Sequence, residues 1–234
     1  MQQDRNIQAV IFDMDGLLFD TERLFFDLSK EIGKEIGWKI SDEILYLSMG
    51  KNHRDIEELL KKMLGKDFPF QKYVESWRKH RDLHFKTRGI PTKGGAGEIL
   101  QALQKMNMPC ALATSSRQET ARYYLTEAGF LSYFAVVVGG DDVSRGKPEP
   151  DIFLRAASLL GVTPSSCMVF EDSENGIKAG LSAGMRVVHI PDLSLVAPEI
   201  KERVHRICDS LGEAVLILPD LLSSRCCPDR ENSY

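Results

Sequence analysis

Five short, largely apolar runs punctuate the sequence: Ala9 to Phe12, Cys110 to Ala113, Ala135 to Val138, Cys167 to Phe170 and Arg186 to Ile190. Each is followed by a polar, glycine or proline residue. Runs this short that lack strict alternation read as strands buried on both faces. Between them lie helix-length stretches with apolar residues at helical spacing. Ile99, Leu100, Leu103 and Met106 share one face, and Ala121, Tyr124, Leu125 and Ala128 another. Ile152 to Leu160 and Asn175 to Ala183 follow the same pattern. Strands alternating with helices imply βαβ units and a parallel sheet. The expected fold is α/β, an open doubly wound (Rossmann-like) sheet. Five or six strands are too few for the eight of a closed (β/α)₈ barrel.

One segment breaks the alternation. From Asp20 to about Gly89 the chain is highly charged and has no strand pattern. Leu24, Phe25, Leu28, Ile32 and Ile36 form one helical face, and Ile56, Leu59, Leu60 and Met63 a second. Tyr73, Trp77 and Arg81 begin a third helix. The expected organisation is an α/β core from residues 1–19 and 90–222, a small helical cap at 20–89, and a polar tail at 223–234. Asp20 and Thr21 are read as the start of the first cap helix, both types favouring helix N-caps.

Composition narrows the function. The 234 residues carry 30 Lys and Arg against 34 Asp and Glu, a net charge of −4. That argues against binding nucleic acid through bulk charge and against a polybasic membrane anchor. No apolar run approaches the ~20 residues of a membrane span, and no signal peptide is read at the N-terminus. The five cysteines are odd in number and contain no C-x-x-C spacing, so a reducing cytoplasm is the expected location. Cys226 and Cys227 are read as surface thiols without function. A monomer is expected.

The chemistry should lie at the carboxyl ends of the strands, where open α/β sheets bind ligands. The first run is followed by Asp13-Met14-Asp15-Gly16, the second by Thr114-Ser115-Ser116, and the fourth by Glu171-Asp172-Ser173. Lys147-Pro148 lies a few residues beyond the third. Charged groups placed just after buried strands are costly unless paired or metal-bound. A calcium loop beginning at Asp13 fails, because its twelfth position is Leu24 rather than glutamate. His80 and His84 have i, i+4 spacing without a third ligand and read as a solvated face.

In order and spacing, Asp13-x-Asp15-Gly16, Thr114, Lys147 and Glu171-Asp172 resemble the four motifs of the haloacid dehalogenase-like hydrolase superfamily. Phe12-Asp-Met-Asp-Gly-Leu-Leu-Phe-Asp-Thr-Glu22, Gly146-Lys-Pro-Glu-Pro-Asp-Ile-Phe153 and Val169-Phe-Glu-Asp-Ser-Glu-Asn-Gly176 are similar to its β-phosphoglucomutase and sugar-phosphatase group. The likeness spans residues 8 to 192. The resemblance implies a doubly wound core with a cap inserted after the first motif, and a magnesium-dependent phosphomonoesterase. Asp13 would be the nucleophile and Asp15 the acid and base. Thr114, Ser115 and Lys147 would bind the phosphoryl group, with Met14 and Asp15 backbone N–H groups. Mg²⁺ would sit on Asp13, the Asp15 carbonyl and Asp172, with Glu171 a direct or water-bridged ligand. The substrate class implied is a small sugar phosphate or nucleoside 5′-phosphate. Gly50, Lys51, Asn52, His53 and Arg54 are the expected substrate loop of the cap.

Within this group the mutases carry a histidine four residues after the Asp-Thr pair. Here the position is Phe25, which favours hydrolysis, with the mutase as alternative. The run Asp13 to Leu24 and Ala111-Leu-Ala-Thr-Ser-Ser-Arg117 look particularly similar to pseudouridine 5′-phosphatases. A phospho-receiver module is disfavoured by the helical insertion and by the Asp13-x-Asp15 pair on the first strand. An inactive relative is disfavoured by the intact motifs.

Overall fold

The computed structural model describes residues 6–49 and 53–223. Its centre is a six-stranded parallel sheet made of β1 (Ala9–Phe12), β2 (Cys110–Ala113), β3 (Val136–Val138), β4 (Cys167–Glu171), β5 (Arg186–His189) and β6 (Arg206–Ile207). The strand order is β3-β2-β1-β4-β5-β6. The chain winds outward from β1 to β3, then returns to the other side of β1 with β4. That reversal is a topological switch point, and it opens a crevice at the carboxyl ends of β1 and β4.

Every residue of β1, β2 and β4 is buried. Successive side chains point to opposite faces. Val10, Phe12, Leu112 and Phe170 pack into one apolar layer with α5 (Ala96–Lys105) and the short helix Leu211–Leu216. Ala9, Ile11, Ala111 and Val169 pack into the other with α7 (Asp151–Leu160) and α8 (Glu174–Ser182). Helix α6 (Gln118–Glu127) connects β2 to β3. Phe12 pairs in register with Phe170, and the two rings stack at 5.1 Å. This register sets Asp13 beside Glu171, and the Asp13 N–H donates to the Phe170 carbonyl at 3.1 Å.

Between β1 and α5 the chain forms α1 (Thr21–Glu35), α2 (Asp42–Ser48), α3 (His53–Leu64) and α4 (Phe70–Arg88). This is the inserted helical cap. It holds four helices rather than the three that the apolar faces suggest. On α1 the buried face includes Phe26, whereas Phe25 is half-buried. Ser29 on α1 and Tyr73 on α4 share a buried 2.8 Å hydrogen bond. Where the cap leaves and rejoins the core, two strands of chain run side by side. The Asp20 N–H donates to the Pro91 carbonyl, and the Lys93 N–H to the Leu18 carbonyl, both at 2.9 Å. Three buried cysteines, Cys110, Cys167 and Cys208, are free thiols. Burial pushes the Cys110 thiol up to about 12, which keeps it protonated and unreactive. Cys226, Cys227 and residues 224–234 of the expected tail lie outside the described residues. No described helix is long and apolar enough to cross a membrane.

Candidate active site

Three carboxylates and one ammonium meet where β1 and β4 end. Asp13, Glu171 and Asp172 are 6%, 0% and 1% exposed. The Lys147 ammonium donates to Asp13 Oδ1 at 2.5 Å and to Glu171 Oε1 at 2.7 Å. Glu171 Oε2 accepts from the Ser173 backbone N–H at 2.7 Å and from its hydroxyl at 3.0 Å. The same hydroxyl caps α8 by accepting from the Gly176 N–H at 3.1 Å. Gly176 is required by this packing, because a Cβ there would lie 1.5 Å from Glu171 Oε1.

The electrostatics are unbalanced. Burial raises the Asp13 carboxyl to about 7 despite the pull of Lys147 in the other direction. Asp172 is raised well above the usual carboxylate range, first by burial and then by Glu171 and Asp13. Burial alone would lower Lys147, but Asp13 and Glu171 outweigh it and raise the lysine. One ammonium does not compensate three carboxylates. Asp172 Oδ2 is buried and has no hydrogen-bond partner among the described residues. Gly16, at φ +84°, leaves room for that oxygen; a Cβ there would stand 2.5 Å away. Ligand oxygens of Asp13, Glu171 and Asp172 lie within 4.8 Å of one another. An all-oxygen, anionic donor set of this kind fits a hard divalent cation.

Asp15 stands at the rim. Its Oδ1 accepts from the Thr21 hydroxyl at 2.7 Å and its Oδ2 from the Ser116 hydroxyl at 2.8 Å. Neither hydroxyl was foreseen as a partner of Asp15. Thr21 opens α1, but its side chain turns back to Asp15 rather than capping the helix. Asp20 occupies the N-cap position without a side-chain cap bond. Its carboxylate is drawn to Arg23 at 3.3 Å and Lys93 at 3.6 Å instead. Thr114 is buried, and its hydroxyl accepts from the Ser116 N–H at 3.0 Å. Ser115 is exposed.

A second acidic group adjoins the first. Glu22, Asp172 and Asp192 bring ligand oxygens within 4.8 Å of one another. Burial, then Asp192 and Asp15, push the Glu22 carboxyl up to about 8. Asp192 is held by Lys93 at 2.6 Å and Arg23 at 3.1 Å. It follows β5, so the carboxyl-end rule that located Asp13 would have found it had it been applied to the fifth strand.

A cavity of about 480 Å³ separates this site from the cap. Asp15 and Ser116 line it on the core side, and Phe25, Trp77, Arg78 and Arg81 on the cap side. Of the expected substrate loop, Gly50, Lys51 and Asn52 lie outside the described residues. His53 opens α3. Arg54 is exposed and pairs with Glu58 at 3.1 Å, and the cavity lining does not include it. Among the described residues, the cations in the lining, Arg78 and Arg81, come from helix α4.

Comparison with known proteins agrees with this architecture. The family model for haloacid dehalogenase-like hydrolases matches residues 10–190. A Drosophila melanogaster protein named as a probable pseudouridine-5′-phosphatase is 36% identical over 196 residues, 80% of this chain and 83% of its own. The phosphorylated carbohydrates phosphatase of Thermotoga maritima is 32% identical over 183 residues, 78% of this chain and 84% of its own. Among solved structures, a HAD family hydrolase from Deinococcus radiodurans with bound phosphate and sodium superposes with a TM-score of 0.78 at 25% identity. It covers 96% of this chain and 100% of its own. The chain thus belongs to the haloacid dehalogenase-like hydrolase family.

Proposed function

We propose that the protein is a magnesium-dependent phosphomonoesterase acting on a small phosphorylated metabolite through an aspartyl-phosphate. One observation carries the reading. A buried Asp13–Lys147–Glu171–Asp172 cluster lies beside Asp15, which two hydroxyls hold at the rim of the cavity.

The chemistry follows from these positions. An Asp13 carboxylate oxygen attacks phosphorus, and the bond from phosphorus to the substrate's alcohol oxygen breaks. Asp15, as a carboxylic acid, gives that oxygen its proton. The resulting Asp15 carboxylate takes a proton from water, whose oxygen attacks the phosphorus. The Asp13–phosphorus bond breaks and inorganic phosphate leaves. Thr21 and Ser116 donate to Asp15, and so orient it and stabilise its charged form. Lys147 offsets charge on the phosphoryl oxygens, helped by Thr114 and by the Met14, Asp15 and Ser115 N–H groups. Asp13, Asp172 and the Asp15 carbonyl would hold the cation. When bound, it supplies positive charge against the phosphoryl oxygens and the buried carboxylates. Glu171 already spends its oxygens on Lys147 and Ser173, which favours a role in orienting the lysine.

The test is phosphate release from a panel of phosphorylated metabolites in the presence of Mg²⁺. Release is expected, and both a chelator and Asp13→Asn should abolish it. Full turnover by Asp13→Asn would overturn the assignment. Conversion of β-glucose 1-phosphate to its 6-phosphate without release would establish a mutase in spite of Phe25.

A further inference from the structure

Two loops at the carboxyl edge of the sheet are fastened to each other, and each carries part of the proposed machinery. The loop after β2 holds Thr114 and Ser116, and the Ser116 hydroxyl donates to Asp15 Oδ2 at 2.8 Å. The loop after β3 starts at Gly139 and runs on to Lys147. The Gly140 N–H donates to the Ser116 carbonyl at 2.8 Å. The Gln118 N–H donates to Asp141 Oδ1 at 2.8 Å. The Gln118 side-chain amide donates to Asp142 Oδ2 at 2.8 Å and to the Val137 carbonyl at 3.0 Å. Asp142 Oδ2 also accepts from the Gly139 N–H at 2.9 Å, so one carboxylate holds both loops.

The close approach of the loops is built into the residue types. Neither Gly139 nor Gly140 has a positive φ, so backbone freedom does not require glycine at either position. Space does. A Cβ at Gly139 would lie 2.2 Å from the Gln118 backbone nitrogen, and one at Gly140 would lie 2.4 Å from the Ser115 carbonyl oxygen. Helix α6 adds a second requirement. It begins at Gln118 after Arg117, which makes no side-chain cap bond. The first N–H groups of a helix need acceptors from outside it, and a carboxylate there also meets the positive end of the helix dipole. Asp141 supplies both from the neighbouring loop. The start of α6 is thereby fixed two residues after Ser116.

We infer that Gly139, Gly140, Asp141 and Asp142 form a clasp that positions Ser116, and through it Asp15, for proton transfer to the leaving alcohol. None of the four is among the described residues that line the cavity, so they are positioning residues and not catalytic ones. The same clasp ties the position of the acid to the loop that delivers Lys147. This rests on the phosphomonoesterase reading above and deepens it by naming what sets the acid in place.

The test compares acetyl phosphate, whose leaving group needs little protonation, with the alkyl phosphate that the wild type hydrolyses fastest in the panel above. The quantity compared is kcat/KM, which covers steps up to departure of the leaving group and omits the later attack of water. Gly140→Ala should lower it about tenfold for the alkyl phosphate and much less for acetyl phosphate. Ser116→Ala should show the same selective loss. Joined to Ser116→Ala, Gly140→Ala should add little further selectivity, because both act on one bond. Asp141→Ala should give a several-fold selective loss, and Asp141→Asn should retain most of the activity, since its amide oxygen still accepts from the Gln118 N–H. Should Gly140→Ala fail to fold, the two Asp141 variants carry the test. Equal losses on both substrates would overturn the inference and leave the phosphomonoesterase standing. So would full multiplication of the Gly140 and Ser116 effects, or wild-type rates in Asp141→Ala. No turnover of either substrate by the wild type would overturn the phosphomonoesterase itself.

Discussion

The two sides of the cavity are built on opposite principles. On the core side, ionised groups are buried at the ends of adjacent strands, and the parallel register fixes their spacing. Asp13 and Glu171 are neighbours because Phe12 pairs with Phe170. On the cap side, apolar and aromatic side chains project from helices that pack on one another and meet the core where the Phe85 ring lies 5.3 Å from Tyr124. Ser29 and Tyr73 tie α1 to α4 without touching the Asp13–Lys147–Glu171–Asp172 cluster. The contrast teaches a division of labour. A sheet holds charges that repel one another, because its backbone ladder resists relaxation. A helical insertion can change its wall without disturbing them.

The largest effect expected on the core side is catalytic. Thr21→Val removes one of the two donors to Asp15. We expect kcat to fall about tenfold to a hundredfold, in line with the ~10²–10⁴ that a positioned acid contributes. The fall should be smaller for acetyl phosphate, whose leaving group needs little protonation. Steady-state rates on acetyl phosphate and on an alkyl phosphate provide the check. Equal losses on both would remove Asp15 from the acid role.

A second prediction concerns space. Gly176→Ala forces a Cβ into Glu171. Overpacking of this kind costs about 1–3 kcal/mol, read as a lower midpoint in urea. The displaced Glu171 should also release Lys147 and depress turnover. A variant with wild-type stability and activity would mean that Glu171 has another place to go.

A third prediction uses the charge imbalance. Mg²⁺ should raise the Tm of the wild-type protein, since a ligand bound only by the folded state stabilises it, by ~2.7 kcal/mol at a hundred times Kd. The shift should shrink strongly in Asp172→Asn, measured by calorimetry with and without the ion. An undiminished shift would place the cation elsewhere. The smallest effect belongs to the cap. Ser29→Ala leaves the buried Tyr73 hydroxyl without its partner and should cost about 1–3 kcal/mol, with the Asp15-dependent chemistry unchanged. A loss of turnover beyond the stability effect would show that the two sides are coupled.

How much of this was legible in the sequence follows the same division. Strands buried on both faces give unbroken apolar runs, so β1, β2 and β4 could be read to within a residue. The fold and the cap insertion followed from them. Short elements gave no signal. Helix α2 has two turns, and its Tyr46 and Leu47 are 47% and 45% exposed, so its apolar residues do not trace one face. Strand β6 is two residues long. Thr21 starts α1 as read, but its bond to Asp15 was not foreseen, because a threonine at a helix start suits two roles. Which one it plays depends on Asp15, six residues away in sequence and 2.7 Å away in space. The cavity wall on α4 was hidden for a related reason. Tyr73, Trp77 and Arg81 repeat at helical spacing whether the face meets a partner helix or a ligand.

The central claim is that Asp13 takes the phosphoryl group. The most direct measurement is peptide mass spectrometry on protein quenched in acid during turnover, using Asp15→Asn to slow the attack of water. The account predicts phosphate on the peptide that contains Asp13, lost in the Asp13→Asn, Asp15→Asn double variant. Release of phosphate in a single turnover with no label at Asp13, or label retained in the double variant, would contradict it.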